Sequence, residues 1–522
     1  MEAVDFEHDL VLEDEFDALT IAVENKQAEQ ELAQKYPAKR HARRVARKLG
    51  VVKGLIYLAG QKEMYWEDSD QGPPFRQRRY FYYLSGADFA GCTVTYDIEK
   101  DWLTLWIPHS DPAAILWFGK TPSAKDCLAR YDVHEVRYVE ELKEYIRDLR
   151  GTMVYALGID INLQQLLLEP PCAMGKTFDT TRLRPAMDRA RVIKTGYEIA
   201  MIRKANAVSS AAHRLVAERI GAMVNECQLE GAFLGSCVAQ NAHAQAYPVI
   251  AGSGANASTL HYDANNEYLA GRQLVVLDAG AEWACYASDV TRTLPIARAT
   301  FSPEARAIYD LVHRMQEECI ERVRPGAVFR DLHLHASRVA VEGLLELGIL
   351  HNGTVEEIYK SGVVGLFFPH GLGHHVGLDV HDVQSKGLLH SSVSSSSGLQ
   401  PGKQKQKRHF AGIAALRSML EAEGESKTED TNRNQLRTNM VVTIEPGIYF
   451  CRPYIESHFT EDEDEEEMVV AVKRYVNLDV LEGYYPVGGV RVEDCIRVTA
   501  DGYENLTTAP KGEELLRLVG VC

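Results

Sequence analysis

Four carboxylates stand in runs of sequence too apolar to hold them unpaired. Asp278 ends QLVVLDAG, Asp289 lies in SDVTRT, Glu445 in VVTIEPGIY and Glu493 in GGVRVEDCIRV. Burying a lone carboxylate is expensive, so the set requires positive partners, from arginine or from metal. Arg491, two residues before Glu493 and on the same strand face, can neutralise only one of them. The segment FFPHGLGHHVGLDVHD adds imidazoles, and Gly371, Gly373 and Gly377 favour a loop in which His370, His374 and His381 are aimed independently. One nitrogen with four carboxylates suits two divalent cations that share carboxylates. Such a site takes Mn²⁺, and also Co²⁺ or Zn²⁺, whereas a soft-metal site would use thiolates. A bridged pair of ions holds hydroxide at neutral pH and polarises a carbonyl, which is hydrolytic chemistry. A single DAG or a lone buried glutamate more often marks a turn or an ion pair. The order Asp, Asp, His, Glu, Glu across four segments of one domain is what carries the inference.

The elements that must position these residues follow from periodicity. Residues 186–522 open on YEIAMIRKANAVSSAAHRLVAERI, where Ile199, Ile202, Ala205 and Val208 recur at helical spacing. A second helix begins at Ser302-Pro303-Glu304, with a capping serine, a first-turn proline and a dipole-compensating glutamate. A third runs from Phe329 to about Leu347, stopped by Gly348. Between and after them lie QLVVLDAG, ASDVTRTLPI, MVVTIEPGIYF and GGVRVEDCIRVTA, strand-like runs that indicate an α+β domain with an antiparallel sheet. The turn-prone AEWACYA would place Asp278 beside Asp289 as a hairpin.

Residues 383–438 differ in composition, with HSSVSSSSG, GKQKQKRH and the helix-like ALRSMLEAE, and read as an inserted surface loop, natural or derived from non-coding sequence. The acidic run Glu461 to Glu467 reads as a mobile loop between strands. Upstream, residues 46–185 alternate between strand-like GLIYLAG, YFYYLSG, TVTYDI and LTLWIP and helical VEELKEYIRDLR, an α/β pattern ending near the helix-poor DTTRLRPAMD. Residues 1–45 read as a helical lead-in, and the basic run Lys39, Arg40, Arg43, Arg44, Arg47 and Lys48 is spaced like a solvent-facing helix side.

Composition narrows the function classes. With 57 basic and 74 acidic residues the net charge is -17, which opposes binding to phosphate backbones and anionic lipid. No apolar run reaches the ~20 residues of a membrane span, and MEAVDFEHDL carries acids where a secretory leader carries bases. Ten scattered cysteines without CxxC are expected to be reduced, and the expected location is cytoplasmic, with neither nucleic acid nor membrane as a partner.

The segments TLHYDANNEYLAGRQLVVLDAG, SDVTRTLPI, PHGLGHHVGLDVHD, TIEPGIY and GGVRVEDCIRVT resemble the successive signature blocks of the pita-bread dinuclear metallopeptidases. Within them the chain looks like the Xaa-Pro aminopeptidase and prolidase branch, especially its fungal members, and YFYYLSGADFAGCTVTYDIEKDWLTLWIP is similar to that branch's amino-terminal domain. The resemblance implies that Asp278 binds one metal, that Asp289 and Glu493 bridge both, and that His374 with Glu445 completes the second site. Glu445 matches the general base, His261 a substrate-side histidine, and His370 and His381 the imidazoles that orient substrate and stabilise the tetrahedral intermediate, with Arg491 in support. Two divalent ions per subunit, with Mn²⁺ as the expected metal, proline-containing peptides as substrates and a homodimeric assembly follow from the same likeness. It leaves open whether the substrate is an amino-terminal residue preceding proline or an Xaa-Pro dipeptide. A relative that kept the fold as an interaction module would have lost the metal ligands; all five are present here.

Overall fold

The computed structural model describes residues 35–110, 112–148, 151–158, 178–297, 301–389, 411–424, 434–459 and 467–521. These divide into two compact units on either side of Tyr197 and Glu198.

In the amino-terminal unit the described residues form a six-stranded sheet in the order β4-β3-β2-β1-β5-β6. Its strands are β1 (Leu55–Ala59), β2 (Thr93–Asp97), β3 (Trp102–Ile107), β4 (Glu135–Tyr138), β5 (Val154–Tyr155) and β6 (Phe178–Asp179). The central strands pair antiparallel, β1 with β2 and β2 with β3, while β4, β5 and β6 join in parallel. A sheet with parallel joins needs helices as crossovers, which matches the alternating pattern in the sequence. On one face Leu55, Tyr57, Trp106, Leu142, Ile146 and Val154 form a single buried cluster. The indole of Trp106 is satisfied inside it by the Thr95 hydroxyl at 2.8 Å.

Three sequence readings in this unit are corrected. YFYYLS is helical, as Arg79–Ser85, and is closed by Gly86 at φ 66°. Its aromatics favour strands in isolation, but Phe81, Tyr82, Tyr83 and Leu84 are buried all round, so no one-sided periodicity marks the helix. The helix-poor reading of DTTRLRPAMD also fails: Leu183–Val192 is a helix with Pro185 in its first turn, where the missing N–H is not needed. On the helix Ala38–Leu49 the basic run is not all solvent-facing, since Arg44 is buried and donates to Ile193 O at 2.8 Å. Residues 1–34 lie outside the described residues.

The carboxyl-terminal unit is α+β. Strand β8 (Leu274–Asp278) lies between β7 (Ile250–Ser253) and β11 (Thr291–Pro295), antiparallel to both. AEWACYA is more than a turn, because it forms the hairpin β9 (Glu282–Trp283) and β10 (Tyr286–Ala287). A second antiparallel sheet has the order β12 (Val441–Ile444), β15 (Asp494–Val498), β16 (Tyr503–Asn505), and β13 (Gly447–Tyr449) pairs with β14 (Gly489–Arg491). Helix Gly196–Arg219 falls where periodicity put it, Pro303–Ile320 starts at the expected Ser302, which caps it through the Ala305 N–H, and Phe329–Glu346 ends just before Gly348.

Within the segment read as an insertion, residues 390–410 and 425–433 lie outside the described residues. Ala411–Gly424 is a helix whose Ile413, Leu416 and Met419 are buried, so this portion is packed into the domain. Its Gly412 lies flush against Gly365, where a Cβ would stand 2.3 Å from a backbone oxygen. Of the acidic run, residues 461–466 lie outside the described residues, and Glu467 opens the helix Glu467–Tyr475.

Candidate metal centre

Strand register assembles the acids. Asp278 closes β8 and pairs in register with Thr291, the first residue of β11, so Asp289 arrives beside it two residues earlier. The DAG turn demands glycine, because a Cβ on Gly280 would stand 2.0 Å from Ser288 O and 3.2 Å from the Tyr247 ring. Glu493 is bridged to Thr291, and the Thr291 hydroxyl donates to Glu493 Oε2 at 2.7 Å. Glu445 follows β12. The histidine loop lies against that strand because Gly373 has no side chain; a Cβ there would stand 2.1 Å from Thr443 O. Thr443 also accepts the His374 N–H at 2.9 Å and donates to Glu445 Oε1 at 3.2 Å.

The result is three overlapping groups of potential ligand atoms, each within 4.8 Å of one another: Asp278, Asp289 and Glu493; His374, Glu445 and Glu493; and Asp289, His374 and His381. All five expected ligands are brought together. Asp289 and Glu493 each belong to two groups, as carboxylates shared by two ions would, while His374, with one nitrogen facing the cluster, can serve one ion. Glu493 Oε1 is buried and accepts no hydrogen bond among the described residues, leaving one carboxylate oxygen for a cation. Four carboxylates and one imidazole fit hard to borderline divalent ions.

The electrostatics show the strain of so much buried negative charge. Burial first, then repulsion from Asp289, Glu445 and Asp278, holds the Glu493 carboxyl well above the carboxylate range. Asp289 is pushed up to about 6, mainly by burial. His374 Nε2 lies 3.3 Å from both Asp289 Oδ2 and Glu445 Oε1. Burial opposes a charge on His374, but these two hydrogen bonds prevail and raise the imidazole to about 10. For Glu445 burial acts upward, and the His374 hydrogen bond overrides it, holding the carboxyl at about 2. The Nδ1 of His374 donates to His375 O at 3.1 Å, which fixes Nε2 as the nitrogen that faces the acids.

Arg491 does not share a strand face with Glu493, because β14 ends at Arg491 and Glu493 lies beyond it in a bridge to Thr291. Arg491 Nη2 donates to Asp278 Oδ2 at 2.6 Å, Nη1 to Tyr449 Oη at 2.9 Å and Nε to Thr291 Oγ1 at 3.2 Å. Tyr449 in turn donates to His370 Nε2 at 2.8 Å, because His370 Nδ1 is committed as a donor to Gly371 O at 2.8 Å. Burial keeps His370 below its ordinary value and therefore neutral. His381 is exposed with its ring 4.2 Å from that of His374, and His261 is exposed in a turn. Desolvation first, and then the charges of His374 and His261, hold His381 down.

Two residues at the centre escape the sequence reading. Tyr247 donates into the space between Asp278 and Asp289, and Tyr449 joins Arg491 to His370. Tyr449 lies in the TIEPGIY block and could have been found as its terminal aromatic. Tyr247 stands 31 residues before Asp278 in an unremarkable stretch, and the bridge from Gln245 to Ala281 together with the pairing of Ile250 with Asp278 brings it in.

Known proteins resemble the chain over nearly its whole length. The description "Metallopeptidase family M24" matches residues 200–500, and "Aminopeptidase P, N-terminal domain" matches residues 38–155. The chain is 50% identical to a probable Xaa-Pro aminopeptidase of Metarhizium robertsii, across 99% of both chains. It is also 50% identical to one of Colletotrichum graminicola, across 98% of both. Among solved structures, aminopeptidase P from Escherichia coli with the inhibitor Pro-Leu aligns at a TM-score of 0.70 and 26% identity, over 93% of this chain and 99% of that one. Proline aminopeptidase P II from Yersinia pestis aligns at 0.69 and 26%, over 93% of this chain and 100% of that one. The chain thus belongs to metallopeptidase family M24, with a pita-bread catalytic domain preceded by an aminopeptidase P N-terminal domain.

Proposed function

We infer that the protein is a metal-dependent Xaa-Pro aminopeptidase, which hydrolyses the bond between an amino-terminal residue and a following proline. The observation that carries this reading is the convergence of Asp278, Asp289, His374, Glu445 and Glu493 into overlapping three-ligand groups. The fungal relatives bearing that name cover nearly the whole chain, which supports the same substrate class. An Xaa-Pro bond is a tertiary amide without N–H, so recognition must rest on a pocket for the pyrrolidine ring.

In this proposal Asp278, Asp289, His374, Glu445 and Glu493 would hold two divalent ions, Asp289 and Glu493 being the carboxylates the two would share; the metal we propose is Mn²⁺. When bound, the ions supply Lewis-acid polarisation of the scissile carbonyl and a nucleophile at neutral pH. Glu445 would accept a proton from the attacking water. Arg491 neutralises Asp278 and anchors Tyr449. Both ring nitrogens of His370 are engaged within the protein, so it fixes the Tyr449 phenol at the edge of the site. His381 and His261, exposed at the rim, meet the substrate.

We also propose a cytoplasmic location, supported by eight free cysteines among the described residues, which suit a reducing compartment. A homodimer is proposed as the assembly, supported by Leu116 and Trp117, 85% and 77% exposed on the helix Pro112–Phe118. Light scattering during gel filtration tests the second.

The function is tested by incubating the Mn²⁺-loaded protein with an Arg-Pro-Pro peptide and with Gly-Pro. Release of arginine with little turnover of Gly-Pro is expected. The reverse preference would make it a prolidase. Turnover of neither, with no bound metal by elemental analysis, would leave a non-catalytic interaction module.

A further inference from the structure

Outside the metal centre, one buried carboxylate gathers six donors and has no part in the proposed reaction. Glu226, the first residue of the helix Glu226–Ala239, is fully buried. Its Oε1 accepts from Ser253 N at 2.8 Å, Ser253 Oγ at 2.6 Å, Asn256 Nδ2 at 3.1 Å and Arg272 Nη1 at 3.2 Å. Its Oε2 accepts from Tyr262 Oη at 2.8 Å and Glu267 N at 3.0 Å. Burial pushes this carboxyl upward, but the hydrogen bonds from Ser253 and Glu267 outweigh it and keep the group below its ordinary value, ionised at neutral pH.

These donors have a common location. Asn256 belongs to the single turn Gly254–Ser258, whose carbonyl at 256 accepts the Thr259 N–H at 2.9 Å. Tyr262 donates its own N–H to Thr259 O at 3.2 Å, closing a β-turn with His261 inside it. The same carboxylate therefore grips the chain just before and at the end of the turn that presents His261. The Gly254–Ser258 turn also backs β14, the strand that ends in Arg491: a Cβ on Gly488 would stand 1.7 Å from Gly254 O, and one on Gly489 2.4 Å from Ala257 O. His261 is near enough to His381 for its charge to act there.

We propose that Glu226 is a positioning residue for the substrate-side rim, its carboxylate clamping the turn that aims His261. This rests on the aminopeptidase reading for its effect on turnover, but the clamp itself does not. Charge and geometry make the role hard to replace. In glutamine, whichever side the NH₂ takes, it faces a backbone N–H, either Ser253 N or Glu267 N, and a donor meets a donor. Tyr262→Phe is the gentler change, since it removes one grip and leaves five.

Two readouts on the full-length protein test this. In metal-free protein, hydrogen exchange at the Thr259 and Tyr262 amides should rise about tenfold in Tyr262→Phe and more in Glu226→Gln, while the helix Pro303–Ile320 keeps its protection. Unchanged exchange at the turn, or an equal rise throughout the domain, would overturn the proposal. With Mn²⁺ bound and metal content equal, Tyr262→Phe should lower kcat/KM on an Xaa-Pro peptide about tenfold, from misplacement of a rim group. The same substitution should have no further effect in a His261→Ala background. A loss that multiplies in the double variant would also overturn it, because Tyr262 would then act by another route. If the unsubstituted chain cleaves no Xaa-Pro substrate, the aminopeptidase reading falls, and the exchange measurement still decides the clamp.

Discussion

The phenol oxygen of Tyr247 lies 2.5 Å from Asp289 Oδ1, and the same oxygen lies 2.6 Å from Asp278 Oδ1. A phenol has one proton to donate, and burial beside these acids holds Tyr247 well above its ordinary value, hence neutral. The two carboxylates thus compete for one phenol proton, and burial raises Asp289 to about 6. With His374 raised to about 10, the centre without metal holds a proton that ligation has to expel.

Metal uptake should release protons. Metal-free His374 is raised to about 10 and is an imidazolium at neutral pH, and Glu493 is also raised, whereas ligation needs the neutral ring and free carboxylates. The protons are held by the empty form, so affinity rises with pH through neutrality. Calorimetric titration of Mn²⁺ at pH 7 in two buffers of different ionisation enthalpy should show heats that differ by at least one proton's worth. Equal heats would contradict the protonated centre.

Tyr247→Phe should weaken metal binding by roughly 10- to 100-fold, as loss of a hydrogen bond to a ligating carboxylate commonly does. The ring itself is kept, so the packing against Gly280 survives. Competition with a chelator measures the effect, and an unchanged dissociation constant would mean the hydroxyl is idle once the ions are in place.

Asp494 should matter for stability more than its neighbour Glu493. It is buried between Arg292 Nη2 at 2.7 Å and Lys511 Nζ at 2.5 Å, with Asn505 donating at 2.8 Å. Asp494→Ala leaves two cations facing an empty site and is expected to cost about 3–5 kcal/mol. Burial raises the Asp494 carboxyl, but the two cations prevail and hold it at about 2 against 3.8 unfolded. Its contribution is therefore complete above the unfolded value and is lost as pH falls from about 4 toward 2. Urea unfolding of metal-free protein across that window should show the parent losing more stability than the variant.

Ala284→Gly should stabilise the fold. The hairpin between β9 and β10 turns through Ala284 and Cys285 at φ 49° and 66°, the left-handed pair a two-residue turn requires. Ala284 is exposed, so glycine relieves backbone strain without emptying the core, worth about 1 kcal/mol. A higher thermal midpoint is expected; a fall would show that unfolded-state entropy dominates.

Much of the centre is legible in the amino-acid sequence because charge in an apolar strand is conspicuous. Asp278, Asp289, Glu445 and Glu493 each announce themselves by their Val and Ile neighbours, the helix at 303 by its Ser302 cap and the helix at 329 by its stop at Gly348. Where burial is all-round the signal vanishes, as in Arg79–Ser85, and where a proline sits harmlessly in a first turn it misleads, as at Pro185.

Composition and spacing alone dictate which side chains must find a cation, since buried acids with too few arginines permit little else. Who meets whom is set by the folded chain: Arg491 neutralises Asp278 rather than Glu493, Tyr247 enters between two acids, and Glu226 grips the turn around His261. The difference is one of range. Burial preference is written residue by residue, whereas each of these contacts joins strands or loops tens to hundreds of residues apart, and their pairing follows from sheet register and from glycines that let backbones touch.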